Sequence, residues 1–182
     1  MKFDLHEEIE IPSGIEVKIE DEEIIMKKDS DELKRKLNLF VDVKVEGGKV
    51  VLSVKGATKK ENKIFWTMEA HINNMIQGLS EGFKYKLQVA SVHFPISVSV
   101  DEEKNELVVK NFLGEKTDRR IKLIPGADVK VDKDMIEIES VDKELAGQCA
   151  ANIEKGARVK GKDRRIYQDG IYITEKPGRV FS

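Results

Sequence analysis

Apolar and polar positions alternate along this chain in two stretches that nearly repeat one another. Val41, Val43 and Val45 alternate with Asp42, Lys44 and Glu46, Gly47-Gly48 interrupts, and Val50, Leu52 and Val54 resume the alternation. The pattern predicts a β-hairpin closed by a two-residue turn. Val129 and Val131 then alternate with Asp128, Lys130 and Asp132, Lys133-Asp134 supplies the turn, and Ile136 and Ile138 alternate with Glu137 and Glu139. The tetrapeptide Asp-Val-Lys-Val opens both hairpins, at 42–45 and 128–131. Each hairpin runs into a segment of helical period. Ile64, Phe65, Met68, Ile72, Met75, Ile76 and Leu79 share one face of a helix expected from about Lys60 to Ser80, with Gly82 just past its end. In the second copy Asp142 is the expected N-cap. Leu145, Ala146, Cys149, Ala150 and Ile153 form the apolar stripe up to about Lys155, and Gly156 can end it.

Two more strand candidates precede each hairpin: Ile15 to Glu20 and Glu22 to Lys28, then Ile96 to Val100 and Glu106 to Asn111. The order is therefore β-β-β-β-α both times. A helix with one apolar stripe and a sheet with one apolar face cover each other most economically. The expected fold is α+β, two tandem similar domains, each an antiparallel β-sheet covered on one face by an α-helix. The boundary is expected between a strand reaching Leu87 to Val92 and Phe94-Pro95, where proline suits the start of a strand. The ranges are 1–87 and 88–182, and a long strand can bridge them.

Composition changes this picture in two places. Charged residues make up 36% and apolar residues 40%, which is a folded rather than a disordered balance. A single cysteine excludes an intramolecular disulfide. The opening MKFDLHEEIEIPSG puts acids where a secretory signal needs an apolar core, and no run approaches the roughly 18 apolar residues of a spanning helix. A soluble, cytosolic protein without membrane contact is expected. The net charge of -2 conceals a segregation. Lys155 to Ser182 holds eight Lys and Arg against three Asp and Glu, so that segment is five charges positive and the remainder seven negative. Segregated charge points to an anionic partner.

Catalytic and metal chemistry find little support. Gly156 to Lys162 approaches a phosphate-binding P-loop, but Asp163 stands where a magnesium-binding hydroxyl is needed, and a helix precedes the motif where a strand should. Cys149 lies on an apolar helical stripe and reads as a buried structural thiol. His6, His71 and His93 lack metal-ligand spacing. Glu22-Glu23 and Glu102-Glu103 read as solvated turns, and the methionines as core filler. No enzyme activity, cofactor, metal or small-molecule substrate is expected.

The basic segment reads as an RNA-binding surface. Lys160, Lys162, Arg164 and Arg165 surround Gly161, which lets the backbone approach a phosphate, and Arg158 adds to them. Tyr167, Ile171, Tyr172 and Ile173 interleave with Asp169-Gly170, so the segment is expected to fold back as strand, turn and strand. Arginine, here Arg158, Arg164, Arg165 and Arg179, suits phosphate oxygens and base stacking. Lys176 completes the candidate set.

The run RVKGKDRRIYQDGIYITEKPG resembles the C-terminal signature of large-subunit ribosomal protein six in its archaeal and eukaryotic form, and IPSGIEV, from Ile11 to Val17, resembles that family's opening strand. The resemblance spans the chain and carries the same two-fold repeat. It implies a structural protein that binds large-subunit ribosomal RNA, mainly through its C-terminal domain, near the sarcin-ricin loop and the stalk base, beside other stalk-base ribosomal proteins. Lys160, Gly161 and Lys162 match the family's basic loop, and Arg164 and Arg165 its archaeal-type continuation. Asp163 departs from the bacterial form, which has a further glycine there. Lys28-Asp29-Ser30-Asp31 stands where many relatives have Gly-Pro. The competing readings are a protein-binding adaptor that uses sheet edges and a basic tail to reach an acidic partner, and a small hydrolase with scattered site residues.

Overall fold

In a computed structural model that describes residues 3–181, the chain forms two compact units, one ending at Gly82 and the other beginning at Phe83. The first contains β1 (Phe3–Glu10), β2 (Glu16–Glu20), β3 (Glu23–Lys28), β4 (Asp31–Lys36), β5 (Asp42–Glu46), β6 (Lys49–Ala57) and α1 (Lys59–Glu81). The second contains β7 (Phe83–Ala90), β8 (Ser97–Asp101), β9 (Glu106–Lys110), β10 (Arg119–Lys122), β11 (Asp128–Asp132), β12 (Met135–Ser140), α2 (Lys143–Gly156), β13 (Gly170–Lys176) and β14 (Arg179–Val180).

Each unit has two antiparallel sheets served by one helix. In the first, the sheets run β1-β6-β5 and β2-β3-β4, and α1 packs on β6, β1 and β3. In the second, β7-β12-β11 and β8-β9-β10 repeat those orders, and α2 packs on β7, β12, β13 and β10. The tandem α+β repeat is present, with six strands per copy where periodicity predicted four. Two of the strands that alternation did not reveal, β4 and β10, have little apolar content to alternate. β4 reads DELKRK with only Leu33 buried, and β10 reads RRIK with only Ile121 buried.

The predicted hairpins lie in register, Val45 opposite Val50 around Gly47-Gly48 and Asp132 opposite Met135 around Lys133-Asp134. The helices also take their predicted faces. Phe65, Met68, Ile72, Met75 and Leu79 of α1 are buried, as are Ala146, Cys149, Ala150 and Ile153 of α2. Burial pushes the Cys149 thiol up from its ordinary value, which suits a core thiol. Asp142 caps α2 by accepting a hydrogen bond from the Glu144 amide at 2.8 Å. Gly156 has a different role from the expected stop signal. It is the last residue of α2, and a Cβ there would stand 2.6 Å from Cγ1 and 2.7 Å from Cδ1 of Ile121. Close packing of α2 on β10 requires the glycine.

Two boundaries differ from the sequence reading. The units divide at Gly82, not at 87, because β7 is drawn whole into the centre of the second sheet, between β12 and β13. The fold-back of the basic segment lies at Pro177-Gly178, where β13 turns into β14, and not at Asp169-Gly170. Gly170 begins β13 opposite Ala90, and β13 continues along β7 through Ile171 and Tyr172. The last two strands thus have no counterpart in the first unit and extend the repeated sheet at the edge of β7.

Candidate nucleic-acid interface

Between α2 and β13, residues 157–169 form a loop whose shape follows from which side chains point inward. Ala157 is fully buried and Val159 is 8% exposed, so Arg158 and Lys160 are turned outward. Arg119 of β10 fixes this entry. Its guanidinium donates to the carbonyls of Gly156 at 3.2 Å and Arg158 at 2.9 Å, pairs with Glu115, and lies 3.8 Å over the Phe112 ring. The fork geometry of arginine is what allows one side chain to serve all four partners. Arg119 in turn holds the Glu115 carboxyl below its ordinary value, against the opposing effect of burial.

Gly161 follows with φ +68°, a left-handed conformation that L side chains rarely adopt, and open space surrounds the position of a Cβ. In the free protein the glycine is therefore required by the turn and not by crowding. Asp163 organises the next turn: its carbonyl accepts from the amides of Ile166 and Tyr167, and its carboxylate accepts from the Arg165 amide at 3.0 Å. The same carboxylate pairs with the Arg165 guanidinium at 2.9 Å and lies below its ordinary pKa, lowered by that pairing.

The loop ends on a buried anchor that the sequence reading took for a turn residue. Asp169 has no exposed surface. Its Oδ1 accepts from the amides of Val92 and His93, both at 2.9 Å, and its Oδ2 lies 2.6 Å from Nδ1 of His93. Burial works against its ionisation, but the His93 amide, the His93 ring and the Val92 amide outweigh that and hold the carboxyl below its ordinary 3.8. The His93 ring stacks on Tyr167 with centroids 5.0 Å apart, and the Lys162 ammonium sits 4.4 Å over the same Tyr167 ring. A ladder of His93, Tyr167 and Lys162 thus rises from the buried carboxylate to solvent.

The predicted residues fall into two groups. Arg158, Lys160, Gly161, Lys162, Arg164, Arg165 and Tyr167 belong to the 157–169 loop, where Arg158 and Arg164 line one shallow depression of about 300 Å³ together with Lys155 and Tyr172. Lys176 and Arg179 gather instead at the β13–β14 hairpin, their cations 5.3 and 4.7 Å from the Phe181 ring. The three acids of the segment are all committed: Asp163 to Arg165, Asp169 to His93, and Glu175 to Lys86 of β7 at 2.7 Å. Of its eight cations only Arg165 is ion-paired among the described residues. Sequence reading missed His93, Asp169 and Arg119. The doublet Arg119-Arg120 was visible as charge, but nothing local indicated that Arg119 turns back onto α2.

Elsewhere the histidines are dispersed: His6 lies beside Glu8, and His71 is hydrogen-bonded to Arg35. Among the described residues no three His, Cys, Asp or Glu side chains are grouped to hold a metal. Among the same described residues no helix is long and apolar enough to cross a membrane.

The chain is thus a tandem α+β repeat whose second copy carries a cationic loop between its helix and an added hairpin. A family described as Ribosomal protein L6 matches the chain in two stretches, residues 11–82 and 94–170, one in each unit. The chain belongs to this family of structural, non-enzymatic ribosomal proteins, whose place is the cytoplasmic ribosome. It is similar to the large ribosomal subunit protein uL6 of Methanococcus vannielii, 42% identical over 177 residues, which cover 97% of this chain and 96% of the relative. The methanogen relative agrees with the archaeal-type character of the basic loop.

Proposed function

We propose that this protein is a constituent of the large ribosomal subunit that clamps large-subunit ribosomal RNA with its 157–169 loop, near the sarcin-ricin loop and the base of the stalk, with stalk-base ribosomal proteins as neighbours. One observation carries the reading: four of the five cations on the 157–169 loop, Arg158, Lys160, Lys162 and Arg164, are without an ion-pair partner among the described residues, and Asp169 and Arg119 pin that loop at its two ends. A loop backbone held in place before binding lowers the entropy lost when its cations meet phosphates. Arg158 and Arg164 flank one depression and suit phosphate oxygens by their planar forks, while Lys160 and Lys162 add charge. Gly161 keeps the backbone low between them, and Tyr167, already stacked, offers an edge beside the RNA rather than a free face. Lys176 and Arg179 form a second contact at the β13–β14 hairpin. The protein neutralises phosphates and holds RNA elements together, and no bond is made or broken.

The test is binding of the full chain to a fragment of large-subunit rRNA containing the sarcin-ricin loop, against a fragment of equal length from elsewhere in that RNA. Preferential binding that weakens steeply with salt is expected, because each phosphate contact releases counterions. Arg164→Glu with Arg165→Glu should abolish it and leave thermal unfolding nearly unchanged, since both side chains are exposed. Equal affinity for the two fragments would overturn the location, and salt-independent binding would overturn the mechanism.

A further inference from the structure

The first unit has an exposed feature with no part in that reading. The connection Leu37–Phe40, which follows β4, and one face of α1 border an open groove of about 870 Å³. Its floor is aliphatic, made by Leu37, Ile64 and the buried Met68. On its lip Leu39 is 82% exposed and Phe40 51% exposed. They are held there. The Asn38 side chain accepts from the Phe40 amide at 3.1 Å, the Asn38 carbonyl accepts from the Val41 amide at 3.0 Å, and Val41 is buried. An apolar side chain presented outward by a fixed turn points to a covering partner.

Charge identifies the kind of partner. Residues 1–82 hold 17 Asp and Glu against 13 Lys and Arg, yet the groove is bordered by Arg35, Lys36, Lys60 and Lys63 with Glu22 as its one acid. Positive charge is concentrated here against the sign of the unit. A single strand of RNA needs flat aromatic surfaces on which its bases stack. Two rings line the groove, and both are engaged: Phe40 has the Lys60 ammonium 5.4 Å from its centroid, and the His71 imidazole is hydrogen-bonded to Arg35. The other apolar groups are aliphatic, and three of the four cations are lysines. An aliphatic floor with a lysine rim matches the apolar face and flanking carboxylates of an amphipathic helix.

We propose that this groove holds an acidic amphipathic segment of a neighbouring protein, its apolar side chains against Leu37, Leu39 and Ile64 and its carboxylates toward Lys36, Lys60 and Lys63. The proposal rests on the neighbouring-protein part of the function above and is independent of the RNA part.

Photo-crosslinking within assembled large subunits tests it, with benzoylphenylalanine placed in the full chain at Phe40 and, in a separate variant, at Val45 on β5. The expected result is a cross-link from position 40 to a protein segment mixing Asp and Glu with Leu- or Phe-type residues, lost when Lys60→Glu and Lys63→Glu are added. Protein cross-links from position 45 alone would overturn the groove and leave the neighbour. None from either site would overturn both, and a cross-link from position 40 to rRNA would replace the proposed occupant. Should a variant fail to assemble, the isolated full chain is titrated with a synthetic helix bearing Leu and Phe on one face and Glu on the other. At least about tenfold tighter binding than to its Lys-for-Glu counterpart is expected, with amide shifts at Leu39, Lys60, Lys63 and Thr67. Equal affinity, or shifts confined to other residues, would overturn the proposal.

Discussion

A carboxylate without exposed surface destabilises a fold unless its lone pairs are answered, and Asp169 meets that condition with two amides and an imidazole drawn from residues 76 and 77 positions away. It joins the end of the basic loop to the Val92-His93 turn, so its effect on RNA binding is one of positioning. Asp169→Asn keeps the shape but sets an amide NH2 against donors. Hydrogen bonds to a charged group contribute about 1.5–3 kcal/mol each, so a loss of about 2–4 kcal/mol is expected. The pH dependence follows from the sign of the shift. The folded carboxyl is depressed below its ordinary value, so its stabilisation is complete above the unfolded value and is lost as pH falls through the folded one. Urea unfolding of the two forms should therefore differ fully at pH 7 and converge below about pH 4. A gap that persists unchanged at pH 3 would place the effect in shape and not in charge. Affinity for rRNA should fall at pH 7 although the Asp169 side chain is not exposed to RNA.

At the scale of elements, the contact between α2 and β10 is tight enough to exclude a methyl group. Gly156→Ala should cost about 1–3 kcal/mol by overpacking against Ile121. On an Ile121→Ala background the same change should cost much less, because the colliding atoms are gone, and a double-mutant cycle of unfolding free energies reads the difference. Additive costs would show that the strain lies elsewhere. This contact also marks where sequence reasoning stops. The hairpins at 42–57 and 128–140 and the faces of both helices were legible because the period of apolar residues is itself the packing requirement. The strands β4 and β10 were not, because one buried residue among charges makes no period. The cations of the candidate interface were legible as composition. Arg119, His93 and Asp169 were not, because each acts on a partner more than 30 positions away that only the folded sheet brings near.

For the whole molecule, the second unit equals the first with one hairpin added at the edge of β7, and that addition carries the cationic loop. A segment that looks like an appendage by charge is thus part of the core: Ile171 is 1% exposed and Val159 8% exposed. Burial of two such side chains stabilises by about 3–6 kcal/mol, against a total of about 5–15 for a typical domain. Deleting residues 155–182 should accordingly unfold the second unit and expose β7, so loss of RNA binding in that truncation identifies no contact. Neutralisation separates the two roles. Lys160→Gln, Lys162→Gln and Arg164→Gln together should leave stability within about 1 kcal/mol, the exposed Lys162–Tyr167 contact contributing about 0.5–1 of that. The slope of log affinity against log salt should become shallower by about 2–3, since each lost phosphate contact removes about 0.7–0.9. An unchanged slope would move the RNA contact off the loop, whereas a shallower slope at preserved stability would assign the charge to binding and the buried residues beneath it to the fold.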